Sequence, residues 1–164
     1  MGNKEWEGLP QDIRETVQAH QTEAPIRLAT IARAIGVEVL AATLPPGISG
    51  EIRPKADGRF AIRVNRHDPI RRQRFTIAHE IAHFILHRDQ IGSGLKDDVL
   101  YRSTLSDHRE AEANRLAANI LMPQHLVDEL LQNARAQQVE DIVNYLADRF
   151  EVSEASMKIR LGLS

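Results

Sequence analysis

The chain has 164 residues, of which 42% are hydrophobic and 27% charged, a composition typical of a soluble globular protein. Its net charge of −2 argues against binding to bulk nucleic acid or to an anionic membrane. The sequence has no cysteine, which excludes disulfide bonds and thiolate zinc ligands. It also lacks a signal-peptide pattern and any apolar run of membrane-spanning length. These features predict a single cytoplasmic domain over residues 1–164 with no membrane partner.

The first part of the chain predicts frayed residues at 1–8, a helix over residues 9–20 and a second helix over residues 26–35 that ends at Gly36. The second helix resembles the first half of a helix-turn-helix. However, residues 37–42 alternate in polarity and predict a strand, so no recognition helix follows. Direct binding to nucleic acid is therefore not expected.

Two further strands are predicted at residues 51–53 and 59–65, joined around Asp57-Gly58, a typical hairpin signal. Together with residues 37–42 they predict a small three-stranded antiparallel sheet. The remaining segments are helical in pattern, including residues 124–132, residues 139–150 and a final helix that Ser153 caps. The predicted fold class is α+β, mostly helical, with the sheet packed beside the central helix. By analogy with proteins that bind peptides by strand addition, the sheet edge could hold an extended peptide strand.

The central helix is predicted to begin near Asp68, with Asp68 as its N-cap, to end near His87 and to be buried over most of its circumference. It contains the motif His79-Glu80-x-x-His83, whose histidines share one helix face. Burying them without partners would cost several kcal/mol, roughly, whereas a divalent metal would use their nitrogen lone pairs. Glu80 points about 100° away, where it can take a proton from a water at the metal. The alternative is a helix whose histidines make ordinary hydrogen bonds.

The third ligand is predicted on the helix that begins at Asp107. Asp107 and Glu110 form a capping-box pattern there, which gives Glu110 a role of its own. Glu112 lies in line with Leu116 and Ile120 and is therefore placed on the buried face, where a ligand is expected. A buried glutamate paired with an arginine is the alternative for Glu112.

Other polar residues have more ordinary interpretations. His87 continues the face of His79 and His83 but lies a turn too far to share their ion, so it is interpreted as a helix C-terminal residue favoured by the helix dipole. A cluster of arginines at positions 63–74 is interpreted as a solvated face with local ion pairs, with a groove for an acidic substrate as the alternative.

Residues 88–106 have no clear period, and we expect a mobile segment that gates the metal site, with an ordered cover of the core as the equal alternative. Tyr101 lies in this segment. Its hydroxyl could stabilise an oxyanion, although a packing role is more common.

The stretches Arg74-Phe-Thr-Ile-Ala-His-Glu-Ile-Ala-His-Phe-Ile-Leu-His87 and Glu112-Ala-Asn-Arg-Leu-Ala-Ala-Asn-Ile-Leu-Met-Pro123 resemble the ImmA/IrrE family of zinc metallopeptidases, over roughly residues 26–163. Leu116 stands where the family usually has an aromatic residue, and Asn119 where it often has glutamate. The resemblance implies Zn²⁺ bound by His79, His83 and Glu112, with Glu80 as the catalytic base.

The resemblance also implies a zinc endopeptidase that cleaves a helix-turn-helix transcriptional repressor and so derepresses stress-response or mobile-element genes. Two other functions stay open from the sequence. The first is a non-catalytic, metal-stabilised interaction module such as a toxin–antitoxin component, which would have no need of Glu80. The second is a DNA-binding regulator, against which the net charge and the missing recognition helix argue.

Overall fold

The computed structural model describes residues 4–163 as eight helices and one four-stranded sheet. The helices are Lys4–Glu7 (α1), Gln11–Gln18 (α2), Leu28–Ala34 (α3), Ile70–Leu86 (α4), Asp107–Leu121 (α5), Gln124–Ala136 (α6), Ile142–Phe150 (α7) and Glu154–Arg160 (α8). The strands are Val37–Ala42 (β1), Ile48–Pro54 (β2), Phe60–Asn65 (β3) and Leu95–Asp98 (β4). None of these helices combines the length and the hydrophobicity that crossing a lipid bilayer requires.

The sheet has the strand order β1-β3-β2-β4 and is mixed, which corrects the prediction of three antiparallel strands. The hairpin prediction at Asp57-Gly58 is confirmed, because β2 and β3 pair antiparallel across that turn with Ile52 opposite Ile62. β1 pairs with β3 in parallel, with Val37 opposite Phe60. The hairpin therefore lies in the middle of the sheet, and a loop carries the chain from β1 past β3 to β2. Local periodicity contains no information about which strand of a hairpin an earlier strand will join.

The α4 helix is the centre of the domain, as its apolar sequence predicts. It packs against α5, against β2 and β3 of the sheet, and against α3. Eight of its residues between Thr76 and Phe84 are buried, including Ala78, Ile81 and Ala82. The helix begins at Ile70 after Pro69, so the prediction of Asp68 as its cap is wrong. Pro69 has extended backbone angles and itself stands in the cap position.

Both ends of the described chain are helical. Residues 4–7, predicted to be frayed, form α1, and Glu5 is buried in an ion pair with Arg115 of α5. The prediction for residues 1–3 lies outside the described residues. At the other end, the predicted Ser153 cap is confirmed by the hydrogen bond that its hydroxyl accepts from the amide of Ser156.

The segment of residues 88–106 is not structureless, which corrects the prediction of an aperiodic connection. It forms a short 3₁₀ helix at Arg88–Gln90 and then the strand β4, which pairs antiparallel with β2. Ile91 and Leu95 from this segment are buried in the core. The segment therefore covers part of the core, and it also brings the charged residue Asp97 into the interior.

Candidate metal centre

His79 and His83 lie side by side on the buried face of α4, with their ring centroids 4.5 Å apart. Both side chains have no solvent exposure. Four residues make slightly more than one helical turn, so the two rings stand one above the other. Their Nε2 atoms point toward the same space between α4 and α5.

Glu110 from α5 completes the helical part of the cluster. Its Oε1 lies 3.1 Å from Nε2 of His79 and 3.1 Å from Nε2 of His83. Its other oxygen accepts a hydrogen bond from the Ser103 hydroxyl, which fixes the carboxylate in this orientation. One oxygen of Glu110 is thus held equidistant from the two imidazole nitrogens.

Asp97 of β4 adds a fourth donor that the sequence analysis missed. Its Oδ1 lies 3.1 Å from Nε2 of His79 and 3.8 Å from Nε2 of His83. The four candidate ligand atoms, one from each residue of this group, lie within 4.8 Å of one another, and all four residues are buried. The sequence Leu95-Lys-Asp-Asp98 has the right alternation for a strand with Leu95 and Asp97 inward. Four residues with three charges among them, however, predict a loop more readily than a strand.

Glu112 does not join this cluster, which corrects its predicted position as the third ligand. Successive residues of a helix turn by about 100°, so Glu110 and Glu112 project on nearly opposite sides of α5. The predicted capping box is also wrong, because Ser106 caps the helix and accepts from the amide of Arg109. With the cap at Ser106, Glu110 stands one position beyond the capping-box site and its carboxylate is free to face α4.

Glu112 instead contacts His87. Its Oε1 lies 2.9 Å from Nε2 of His87, and Nδ1 of His87 lies 2.9 Å from Nδ1 of His83. His87 ends α4 as predicted, but it is 2% exposed. Burial lowers the pKa of His87. The role predicted from the helix dipole requires a charged imidazole and therefore does not fit this position.

His79 has a corresponding contact on its far side. Its Nδ1 lies 2.8 Å from Oδ1 of Asn114, an acceptor, so Nδ1 carries the proton and donates. This leaves the lone pair of Nε2 facing Asp97 and Glu110. Asn114 of α5 was not singled out in the sequence, although it lies four residues after Glu110 and within the second of the two stretches that carry the family resemblance.

Glu80 lies beside the cluster and is fully buried. Neither of its carboxylate oxygens accepts a hydrogen bond from an N–H or hydroxyl donor among the described residues. Burial raises the pKa of Glu80 well above its ordinary value. The neighbouring Asp97 carboxylate raises it further, through its negative charge and through a hydrogen bond from the protonated Glu80 carboxyl, and the charges of Glu110 and Glu51 act in the same direction. An unpaired buried carboxylate is costly, so this group indicates a role other than packing.

Gly50 of β2 allows this placement of Glu80. A Cβ at position 50 would lie 3.3 Å from Oε2 of Glu80 and would overlap Cγ2 of Thr76. The sheet can therefore approach α4 closely only because residue 50 has no side chain.

The two carboxylates of the cluster favour a positive charge between them and the histidines. Burial opposes protonation of His79, but hydrogen bonds and charges from Asp97 and Glu110 outweigh it and raise its pKa to about 9. The pKa of His83 is raised in the same way, again against the effect of burial. Burial also opposes ionisation of Asp97 and Glu110, but the two histidines hold both carboxyl pKa values below their ordinary range. Two carboxylates facing two imidazole nitrogens fit a divalent cation, whose charge would replace these protons.

A cavity of about 580 Å³ opens next to the cluster. Asn114 and Tyr101 line it and also contact His79, Tyr101 through a ring contact at 5.2 Å between centroids. Tyr101 packs on Phe75 as well, at 4.9 Å, and burial raises the pKa of its hydroxyl. Phe75, Met122 and Val152 give the cavity an apolar wall. The structure therefore gives Tyr101 a packing role at the boundary between the cluster and the cavity.

The arginines at positions 63–74 make ion pairs or hydrogen bonds with other residues of the domain. Arg63 pairs with Glu51, and Arg71 binds Asp148 together with the carbonyl of Val152. Arg66, Arg72 and Arg74 each donate to a backbone carbonyl, those of Ala41, Val99 and Ile26 respectively. Two of these five arginines thus form the ion pairs that the sequence predicts, and the other three bind backbone carbonyls instead. The helix α3 leads directly into β1, so the described residues contain no recognition helix after it.

The fold and the cluster together define an α+β domain with a buried His/Asp/Glu group that could hold a metal ion. The family model described as IrrE N-terminal-like domain, Peptidase_M78, matches residues 32–162. The chain therefore belongs to this metallopeptidase family, as the resemblance of its two motifs predicts. No curated protein matches the chain at a significant level.

A solved structure of a Mycobacterium tuberculosis transcriptional regulator shares the fold, with a TM-score of 0.57 and 21% sequence identity. The match covers 97% of this chain and 48% of that chain. The present chain thus spans about half the length of that protein.

Proposed function

We propose that this chain is a zinc-dependent endopeptidase in which His79, His83 and Glu110 hold the metal and Glu80 is the general base. The observation that carries the proposal is the fully buried Glu80 carboxylate, which lies beside the donor cluster and accepts no hydrogen bond from an N–H or hydroxyl donor among the described residues. A structural metal site has no need of such a group. A peptidase needs a base that accepts a proton from water, and its pKa must be raised toward neutral pH.

The three helical donors fit zinc. Two imidazole nitrogens and one carboxylate oxygen form a common ligand set of catalytic zinc sites, which keep a fourth position open. When bound there, zinc would polarise the scissile carbonyl and lower the pKa of a water molecule. Asn114 would keep the Nδ1 proton of His79 in place, so that Nε2 remains available. Glu80 would accept the proton of the attacking water and pass it to the leaving amine.

The cavity lined by Phe75, Met122 and Val152 is suited to apolar side chains of a peptide beside the scissile bond. Tyr101 lies between this cavity and His79, where its ring would contact such a peptide. For the substrate we propose a helix-turn-helix transcriptional repressor in the cytoplasm. This rests on the resemblance to the ImmA/IrrE family, and the regulator named among the similar structures supports a link to transcription.

The proposal is tested by incubating the purified protein with the repressor encoded beside its gene. Cleavage should occur with zinc, stop when a zinc chelator is added and return when zinc is restored. The Glu80→Gln protein should bind zinc without cleaving. If the zinc-loaded protein leaves both this repressor and a library of peptides intact, the peptidase function is wrong.

A second candidate is a metal-stabilised interaction module, such as a toxin–antitoxin component, and one observation favours it. Asp97 supplies a fourth donor to the cluster, and structural zinc sites are typically closed by four protein ligands. X-ray absorption of the zinc-loaded protein separates the two functions. A shell with four protein ligands in solution, in a protein that cleaves nothing, would support the module.

A further inference from the structure

We propose that Glu112 and His87 form a positioning chain that fixes the proton of His83 on Nδ1 and so presents Nε2 of His83 to the metal. This inference rests on the proposed function only in that a metal binds at the cluster. Glu112 and His87 lie outside the group of four candidate metal ligands, so their effect on the metal would pass through His83.

The chain consists of two consecutive short contacts. Nδ1 of His83 lies 2.9 Å from Nδ1 of His87, and Nε2 of His87 lies 2.9 Å from Oε1 of Glu112. His83 and His87 are both buried, so water does not compete freely for these contacts. The same oxygen of Glu112 also accepts from Nη1 of Arg109 at 3.3 Å, and Nε2 of His108 lies 3.5 Å from the other oxygen.

The direction of these hydrogen bonds follows from the chemistry of the last group. A carboxylate only accepts, so Nε2 of His87 must carry the proton and donate to Glu112. In a neutral imidazole the other nitrogen is then an acceptor, so Nδ1 of His87 accepts from Nδ1 of His83. With its proton held on Nδ1, His83 has its lone pair on Nε2, the atom that lies 3.1 Å from Glu110.

The opposite direction would disable the site. If Glu112 were replaced by a group that cannot accept, His87 could carry its proton on Nδ1 and face His83 as a donor. His83 would then hold its own proton on Nε2, where the metal has to bind. The identity of residue 112 thus determines which tautomer of His83 is favoured at the cluster.

His79 offers an internal comparison. Its Nδ1 contacts the neutral amide of Asn114 directly, without an intervening histidine. An amide has both a donor end and an acceptor end and can rotate, whereas a carboxylate cannot donate. We therefore expect His83 to depend on Glu112 through charge and acceptor character, and not through shape alone.

The test measures zinc affinity by competition with a chromophoric chelator in wild type, Glu112→Gln and Glu112→Met. Glu112→Met keeps the length of the side chain but has no oxygen acceptor, and it should weaken zinc binding by roughly 10–100-fold. Glu112→Gln retains an acceptor at one end and should lose less. Glu129→Met, which replaces an exposed carboxylate on α6, is the matched control and should leave zinc affinity unchanged.

Nitrogen NMR of labelled histidine provides a second readout, independent of activity. The zinc-loaded wild type should show His83 protonated on Nδ1 and His87 protonated on Nε2. In Glu112→Met the His87 signal should move toward the other tautomer. Melting temperatures of the zinc-free proteins show whether a variant is merely less stable.

Zinc affinity of Glu112→Met equal to that of wild type would overturn the inference. So would a loss of affinity that only parallels a loss of melting temperature while the tautomer of His87 is unchanged. A wild-type protein that binds no zinc also overturns it. A wild type that binds zinc but cleaves no peptide refutes the proposed peptidase and leaves this inference intact.

Discussion

Two kinds of element contribute to the same cluster, and they hold their donor atoms by different means. His79, His83 and Glu110 project from α4 and α5, two long helices that pack against each other through buried residues. Asp97 projects from β4, a strand of four residues at the edge of the sheet that pairs with β2 alone. The helical donors are fixed by the core of the domain. The strand donor is fixed by one ladder of hydrogen bonds and by the burial of Leu95.

This difference indicates which donors a peptidase could release. A catalytic zinc site needs three protein ligands and one open position. The helices supply the three ligands without any movement of the core. The edge strand is the element that could move Asp97 out of the cluster at the smallest cost, because few contacts hold it.

The largest effect is expected from Glu110→Ala. This change removes a donor of the helical set and should abolish stoichiometric zinc binding, since two histidines alone do not complete a zinc site. Elemental analysis of the purified protein checks this. Glu112→Ala is the matched comparison on the same helix and should retain zinc with reduced affinity. The reverse result, with zinc lost in Glu112→Ala and kept in Glu110→Ala, would restore Glu112 as the ligand.

Glu80→Gln tests the proposed general base, which belongs neither to the helical donors nor to the strand donor. The amide keeps the shape of the side chain but cannot accept a proton, so we expect zinc content and melting temperature to be retained. Turnover of a cleaved peptide should fall by about 10²–10⁴-fold, the usual contribution of a general base. Cleavage at the wild-type rate would exclude Glu80 as the base.

Leu95→Ala tests how firmly the edge strand is anchored. Leu95 is 2% exposed, and its truncation should destabilise the protein by roughly 2–4 kcal/mol, as for other core leucines. Val99→Ala, at a residue that is 40% exposed, is the control and should change stability little. Thermal melting measures both. A Leu95→Ala protein as stable as wild type would mean that residues 88–106 do not cover the core. It would favour the alternative, a mobile segment that gates the metal site.

Asp97→Ala tests the strand donor itself. If the helical donors suffice, zinc affinity should fall by roughly tenfold or less, the lower end of the range for residues around a metal site. Competition with a chelator measures this, with the exposed Lys96→Ala on the same strand as control. A loss as complete as that of Glu110→Ala would show that the cluster is a closed shell of four ligands.

The smallest effect is expected at Glu5, which pairs with Arg115 of α5 and is not part of the donor cluster. Two hydrogen bonds from Arg115, each 2.9 Å, lower the pKa of Glu5 against the opposing effect of burial. A lowered folded pKa stabilises the protein above the ordinary value of 4.5, and the stabilisation is lost as the pH falls through the folded pKa. Arg115 is partly exposed, so we expect at most about 1 kcal/mol.

Glu5→Gln should therefore melt slightly below wild type at neutral pH, and the two melting temperatures should converge as the pH falls below 4.5. Zinc affinity should be unchanged. A reduced zinc affinity in Glu5→Gln would mean that general loosening of α5, and not the cluster itself, accounts for the effects of substitutions on this helix.

The sequence by itself determined the helix of the motif, its burial and the roles available to His79, His83 and Glu80. These follow from a spacing of four residues and from an apolar run, both of which are local properties of one helix. The hairpin at Asp57-Gly58 and the cap at Ser153 were determined locally as well. The family followed from two stretches of contiguous residues.

Only the tertiary structure decided which carboxylates reach the two histidines. Glu110 and Glu112 are equally compatible with a helix, and the choice depends on the rotation of α5 against α4, which the cap at Ser106 and the packing of the helices set together. Asp97 comes from a strand that is stable only when β2 lies beside it. The parallel pairing of β1 with β3 and the contact of His87 with Glu112 likewise join residues far apart in the chain. Such contacts are determined by packing between elements, and the periodicity within each element does not specify them.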